Sequence, residues 1–583
     1  MLYVYLFEVK SIQQYLFGSG KLKDVISASE RLDRLIDNSE NSVLNIVLNA
    51  ANLPSDLLSE NESTQAIKFL RCKGGAFYAT CESSVPLEKL RSLWTLTINQ
   101  MFPSLVFVDA LTQGTCLNRA IDSGHQALAA ARNTPKVNIP YAPALVQRSA
   151  RTGKAAIPLS RSAIKASTAD HDDSALHLDV DTERHRQAYQ NFELRRDAAL
   201  QHRFTPESLR GEIGYPIDFE DEFEFADDSA VLNHQQRDAI KDMALIHIDG
   251  NGLGILLMKL KSALNNESER RFRQTYRAFS DALNIATVKA AQQATQWLYD
   301  QLKRQQATSE GNERVMLPMR PIVLGGDDIT LFCRADLALG YARQFCKVFK
   351  VQSEIEIKKL PVQSIGVSYL TASGGILYCK ASHPFMQSHN LVEALCEKAK
   401  KLTKSVVGLN NVNQVGPAAL AFHRLSNTSQ QSLDEIVATS QHFEQQVNGG
   451  FSMGQGAYLV EDNDLIEKAN LSHRKFDFLD ALVEKSSADD APVSLSRWRQ
   501  MATEIANGQP DEAERIFERG LDLSGDRGSA NEFRSCVDNL NPSTVSDSSK
   551  KWYWETDYGY QTIINDLLIM GHYQLLSNQD EAQ

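Results

Sequence analysis

The sequence is poor in the signals that usually place a protein. Its cysteines (Cys72, Cys81, Cys116, Cys333, Cys346, Cys379, Cys396 and Cys536) form no CxxC pair and meet no histidine cluster at zinc spacing. Neither a zinc ribbon nor a disulfide framework is expected, and the thiols read as free groups in a reducing compartment. No apolar run reaches the roughly 18 residues that span a bilayer. The opening MLYVYLFEV carries Glu8 and lacks a basic leader, so no signal peptide and no membrane are expected, and the compartment read is the cytoplasm. Charge of one sign is also scarce: 61 Lys+Arg against 73 Asp+Glu leave −12, which argues against a general nucleic-acid coat. Any anion site must be local.

What is present is ordinary globular material. A hydrophobic share of 42% and a charged share of 23% over 583 residues suit three or four domains. Residues 2–9 read as a strand, 11–37 as a long helical stretch, and 67–72 and 77–81 as strands joined by Lys73-Gly74-Gly75-Ala76, whose glycines permit the positive φ of a tight hairpin. A helix over 86–101, a strand over 105–108 and a helix over 121–133 complete a βαββαβ order. The order recurs about 240 residues later. Strands at 243–249, 322–324, 329–333 and 364–369 alternate with helices at 266–304, 336–349 and 390–404. The fold class expected is α+β, with two ferredoxin-like units, each a four-stranded antiparallel sheet with helices on one face. The units span 1–133 and 241–424, a connector of mixed helix and loop spans 134–240, and a helical domain spans 425–583, where 494–506 and 510–520 resemble an antiparallel pair, 523–550 a loop and 560–577 a final helix.

Two look-alikes are set aside. The GxGxG at 250–254 is one residue short of a dinucleotide fingerprint and follows an aspartate, while Gly20-Lys21 and Gly153-Lys154 lack the rest of a P-loop. The strongest local signal is LGGDDITLF at 324–332. Neighbouring carboxylates repel unless something positive sits there, yet taken alone Gly325-Gly326-Asp327-Asp328 reads as a solvated hairpin, which is what most such strings are. The strand ending in Asp249 and breaking into Gly250-Asn251-Gly252 changes that reading. In the expected sheet order Asp249 and the Asp327/Asp328 tip share one edge, and three carboxylates suit one or two Mg²⁺ or Mn²⁺ ions on a nucleoside triphosphate. Glycines let backbone N–H groups approach phosphate oxygens. Lys400 and Lys404, four apart on one helix face, could reach the same triphosphate, although a lysine-rich helix end is more often a solvated face that complements the helix dipole.

Together these motifs resemble the palm-domain subunit family of type III CRISPR effector complexes, of the GGDD type, and more distantly the GGDEF-type nucleotidyl cyclases. The resemblance rests on Asp249 with its glycine-rich follow-on, LGGDD at 324–328 and the AK-type helix at 399–404, with weaker support from FEVKSIQQYL at 7–16, SASERL at 27–32 and ARTGKAAI at 150–157. It implies that Asp249, Asp327 and Asp328 are catalytic metal ligands, that Gly250, Asn251, Gly252, Gly325, Gly326, Lys400 and Lys404 bind nucleotide, and that the chain converts ATP into cyclic oligoadenylates in antiviral defence. Partners implied are nucleoside triphosphates, other effector subunits, and guide or target RNA. A cyclic dinucleotide product from a stand-alone enzyme and a non-catalytic nucleotide-binding scaffold stay open. Aligning the units by their glycine pairs puts Glu8 opposite Asp249, and Ala76 and Phe77 opposite Asp327 and Asp328. The first unit should therefore cradle a nucleotide through Gly74 and Gly75 without holding two metals, contributing shape alone. An HD nuclease, which relatives carry, is not expected, since the chain opens on the first palm strand and His171-Asp172 sits in an acidic linker.

Overall fold

The computed structural model describes residues 1–18, 21–134, 144–150, 152–157, 177–191, 199–217, 219, 242–264, 267–305, 315–361, 366–381, 383–408, 414–425, 432–443, 450–524, 527–542, 551–557 and 559–573. His171-Asp172 and most of the connector lie outside them, as do residues 543–550 and 574–583.

The first unit runs β1 (Leu2–Lys10), α1 (Ile12–Phe17), α2 (Leu22–Asp33), α3 (Val43–Ala50), β2 (Lys68–Lys73), β3 (Ala76–Cys81), α4 (Ser84–Met101), β4 (Val106–Gly114) and α5 (Leu117–Arg132). Its sheet has the order β2-β3-β1-β4, antiparallel throughout. The single helix expected over 11–37 is two, the first ending at Gly18, a residue of low helix propensity. Helices also cover both faces of the sheet rather than one. The reason lies in β1: Tyr5 and Phe7 pack with Phe77 and Trp94 of α4, while Val4 and Leu6 pack with α5, so the strand is apolar on both sides and each side needs cover.

The connector contributes α6 (Val180–Asn191), α7 (Ala199–Phe204) and β5 (Ile213–Gly214). The second unit then runs β6 (Asp242–Asn251), α8 (Leu253–Ala263), α9 (Glu269–Gln305), β7 (Val315–Met316), β8 (Met319–Leu324), β9 (Asp328–Arg334), α10 (Ala335–Ile357), β10 (Thr371–Lys380), α11 (Phe385–Val407) and β11 (Ala419–Arg424). Its sheet holds six strands, not four, in the order β14-β11-β10-β6-β9-β8, where β14 is Ala457–Leu459 and β11 lies parallel to β10. The strand expected at 364–369 is instead β10, later in the chain. Here too helices cover both faces, α10 on one side of β6 and β10 and α11 on the other.

The C-terminal region is more than helical. Helices α12 (Leu433–Ser440), α13 (Asp464–Lys468), α14 (Phe476–Ser487), α15 (Leu495–Ala506), α16 (Pro510–Asp522), α17 (Arg527–Asp538) and α18 (Ile564–Tyr573) accompany a four-stranded sheet of β12 (His442–Phe443), β13 (Gly450–Ser452), β15 (Tyr553–Thr556) and β16 (Gly559–Thr562). The expected pair α15 and α16 is present and closes on buried Trp498, whose ring meets Phe517 and Phe533. The segment expected as a loop carries α17.

The two palm-like units share a core. Leu16, Phe17, Val25 and Ile26 of the first are buried with Ile322, Phe332 and Leu391 of the second, and Phe17 stacks on His389 at 5.2 Å. Ser29 donates to the Ile322 carbonyl. Among the described residues no helix is long and apolar enough to cross a membrane.

Candidate functional site

The second unit's carboxylates meet through strand register. Asp249, near the end of β6, lies directly across from Asp328 at the start of β9. Gly325 N–H donates to the Asp328 carbonyl at 2.8 Å, closing a two-residue turn of Gly326 and Asp327. Two glycines make room for the acids: a Cβ on Gly250 would stand 3.1 Å from Asp327 Oδ2, and one on Gly325 would stand 1.7 Å from Asp328 Oδ1. Any side chain at 325 would evict the Asp328 carboxylate. Thr287 of α9 fixes the tip by donating to the Gly326 carbonyl at 2.8 Å.

The electrostatics are those of crowded acids. Burial, then the charge of Asp249, then that of Asp328 push the Asp327 carboxyl up to about 7. Burial and Asp249 push Asp328 up to about 6. Lys400 of α11 pairs with Asp249 Oδ2, and this contact outweighs burial to hold the ammonium above its usual value. Lys404 is exposed one turn further on. Asn251 turns its carboxamide inward, donating to Thr371 at 3.1 Å and Ser373 at 2.8 Å. Gly252, at φ 84°, begins α8 against Val415. Thus Asp249, Asp327, Asp328, Gly250, Gly325, Gly326 and Lys400 come together, whereas Lys404 stands apart and Asn251 spends its side chain in the core. Among the described residues no group of three or more His, Cys, Asp or Glu side chains is placed so that it could hold a metal ion as it stands.

Side chains that the sequence did not mark surround the acids. Gln13 Nε2 reaches Asp328 Oδ2 and Thr330 Oγ1, each at 3.4 Å, and His247, two residues before Asp249, shares a 3.0 Å hydrogen bond with Thr330. Burial, the largest cause, holds the His247 pKa below its usual value. The alternation of β6 would place His247 and Asp249 on one face; nothing local marks Gln13. A cavity of about 490 Å³ between the two units is lined by Gln13, Gly74, Gly75, Asp328, His389 and Glu393.

The first unit repeats the frame with different contents. Glu8 lies across from Ala76 as Asp249 does from Asp328, so register puts Gly75 and Ala76, not Ala76 and Phe77, in the places of Asp327 and Asp328. The glycine-pair alignment is one residue off because Lys73, not Gly74, takes the place of Gly325. Glu8 is already satisfied: the Tyr78 hydroxyl donates to Oε1 at 2.5 Å and Arg132 pairs with Oε2. Burial raises its pKa, and those two contacts more than reverse the rise. Gly74 and Gly75 have φ of 63° and 72°, the expected hairpin geometry. Only Gly74 approaches the second unit, its Cβ position 3.5 Å from the Gly326 amide; Gly75 faces Ile12 and Val9 of its own unit.

Sheet, hairpin and acids define a palm-type domain accompanied by a second copy that lacks the acid pair. Residues 242–407 match the family described as Cas10/Cmr2, second palm domain, and the chain carries a Cas10-like palm over that stretch. Among solved structures, the apo Csm1–Csm4 cassette is similar at 11% identity and a TM-score of 0.42 over 98% of this chain and 70% of that one. Csm1 in T. onnurineus is similar at 14% identity and a TM-score of 0.38 over 70% of this chain and 53% of that one. The Csm1–Csm4 cassette in complex with cA4 is similar at 11% identity and a TM-score of 0.36, covering 69% and 53%. The chain thus spans about half the length of the last two. No curated protein sequence matches.

Proposed function

We propose that the chain is a metal-dependent nucleotidyltransferase that joins ATP into cyclic oligoadenylates for antiviral signalling, within or beside an effector complex that includes other CRISPR subunits and guide or target RNA. The observation that carries this reading is the meeting of Asp249, Asp327 and Asp328 at a glycine-cleared hairpin inside a Cas10/Cmr2 second palm. Three carboxylates crowd one tip, Lys400 pairs with Asp249, and burial with the charge of Asp249 raises Asp327 and Asp328 to about 7 and about 6, a crowding that a divalent cation drawn between them would relieve. Asp249, Asp327 and Asp328 would hold Mg²⁺ or Mn²⁺. Such an ion supplies charge neutralisation at the α-phosphate and acidifies a 3′-hydroxyl.

The protein's own residues do the positioning. Gly250 and Gly325 keep the acid oxygens at the tip, Thr287 holds the turn, and Lys400 is an ammonium that a phosphate could take over from Asp249. The cavity between the units is where a second nucleotide would lie. His247 is buried with its Nδ1 engaged by Thr330, so it is not proposed as a base.

The Lys400–Asp249 pair also favours a second reading, a nucleotide-binding scaffold without turnover, because the ammonium already neutralises one acid. Incubating the purified chain with each NTP and Mg²⁺ or Mn²⁺, with products identified by mass spectrometry, separates the two. Cyclic or linear oligoadenylates from the parent and none from Asp327→Ala/Asp328→Ala support the enzyme; no product from ATP under any metal supports the scaffold.

A further inference from the structure

A second, smaller cleft lies on the Asp327 side of the paired hairpins. Arg71 and Lys73 of the first unit line it together with Gly326 and Asp327 of the second, and the rest of its wall is largely apolar, including Leu257 and Phe279. A β-bulge delivers the arginine: β2 slips its register against β3 between Phe69 and Arg71, leaving Leu70 as the extra residue. Bulges of this kind re-aim side chains, and from there Arg71 and Lys73 share one face of the strand. The Gly74 turn brings them close, since Arg71 Nη2 lies 3.6 Å and the Gly326 amide 3.5 Å from the same Cβ position.

Among the described residues Arg71 forms no ion pair; its guanidinium rests over the Tyr78 ring at 5.8 Å. Lys73 lies 3.8 Å from Asp37. Cations beside acids that bind a metal would weaken that binding unless an anion lay between them. The cleft measures about 40 Å³. A single water needs roughly 10–15 Å³ on the same measure, so there is room for one phosphate group.

We propose that this cleft is a phosphate subsite, in which Arg71 and Lys73 of the carboxylate-poor unit hold one phosphate group of the nucleotide bound at Asp249, Asp327 and Asp328. The proposal rests on the nucleotide reading above, and gives the first palm a charged role as well as a shaping one. Arg71, with a planar fork of donors, suits phosphate oxygens better than a point charge does.

The test is calorimetric titration of the full chain with Mg²⁺ alone, then with inorganic triphosphate at saturating Mg²⁺, for the parent, Arg71→Ala, Arg71→Lys and Lys73→Ala. The subsite predicts that Arg71→Ala weakens triphosphate at least tenfold while Mg²⁺ alone binds as well or better, and that Arg71→Lys recovers part of the loss. If Arg71 is only a counter-ion for the acids, its removal tightens Mg²⁺ and leaves triphosphate within twofold of the parent, which overturns the proposal. Should Arg71→Ala fail to melt cooperatively, Lys73→Ala is judged by the same twofold limit. A parent that binds Mg²⁺ but no triphosphate would sink the nucleotide reading itself, and this subsite with it.

Discussion

The two palm-like units set the same strand frame to opposite uses. In both, an acid near the end of the first strand faces the start of the third, but in one that acid meets Asp328 and in the other Ala76. Glu8 is closed off by Tyr78 and Arg132, whereas Asp249 has Lys400, a long side chain that can leave. The turns differ accordingly. Gly74 and Gly75 take positive φ, while Gly326 and Asp327 do not, and Lys73 can occupy the place of Gly325 only because no carboxylate follows at 76. The proposed cation site depends on what its hairpin omits as much as on what it carries.

The largest expected effect comes from erasing the difference. Asp327→Ala/Asp328→Ala should cut product formation by far more than tenfold, beyond about 1.4 kcal/mol in the barrier, while urea denaturation at pH 7.5 shows an unchanged or more stable fold. A rate within tenfold of the parent would return the hairpin to a solvated turn. The reverse graft should fail. Gly75→Asp forces a side chain onto φ 72° and toward Ile12, whose Cδ1 lies 2.7 Å from the new Cβ, so the first unit should lose about 1–3 kcal/mol and gain no cation site.

Lys400→Ala should raise the apparent KM for ATP about tenfold, the loss of one hydrogen bond to a charged group, with a smaller fall in kcat. Steady-state kinetics at saturating Mg²⁺ decide it; an unchanged KM would leave Lys400 as a partner of Asp249 alone.

The pH response should separate the units further. Asp327 and Asp328 titrate near 7 and 6 in the folded chain against about 3.9 unfolded. Between those values the folded state keeps protons that the unfolded state has lost, so this pair makes stability fall as pH rises from about 4 to 7. Mg²⁺ requires the ionised acids, so its stabilising effect in thermal melts should grow over the upper part of that range. Asp327→Asn/Asp328→Asn should flatten both trends, and Glu8→Gln should flatten neither. The smallest effect expected is at Lys404: alanine there should leave kinetics within twofold, since the residue is exposed and apart from the acids.

Much of this arrangement was legible in the sequence because it depends on short-range chemistry. Asp249 ends an apolar strand and Asp327-Asp328 end a glycine turn, so their meeting follows from strand pairing alone. What escaped was non-local or weakly patterned. Strand β10, TASGGILYCK, begins with small residues and two glycines, which carry little strand preference, so local pattern alone places this strand too early in the chain. The strands of the C-terminal sheet are two to four residues long and leave no alternation to read. Gln13 reaches Asp328 across 315 positions, and Arg71 owes its aim to a bulge that no local pattern announces.

If the proposed reading holds, one palm binds the cation and its copy does not. Counting Mn²⁺ bound in the presence of a non-hydrolysable ATP analogue, by electron paramagnetic resonance on the parent, Asp327→Asn/Asp328→Asn and Glu8→Gln, tests it most directly. The account predicts that the double variant loses the tightly bound Mn²⁺ and that Glu8→Gln keeps the parental count. Retention of that Mn²⁺ by the double variant, or its loss from Glu8→Gln, would contradict it.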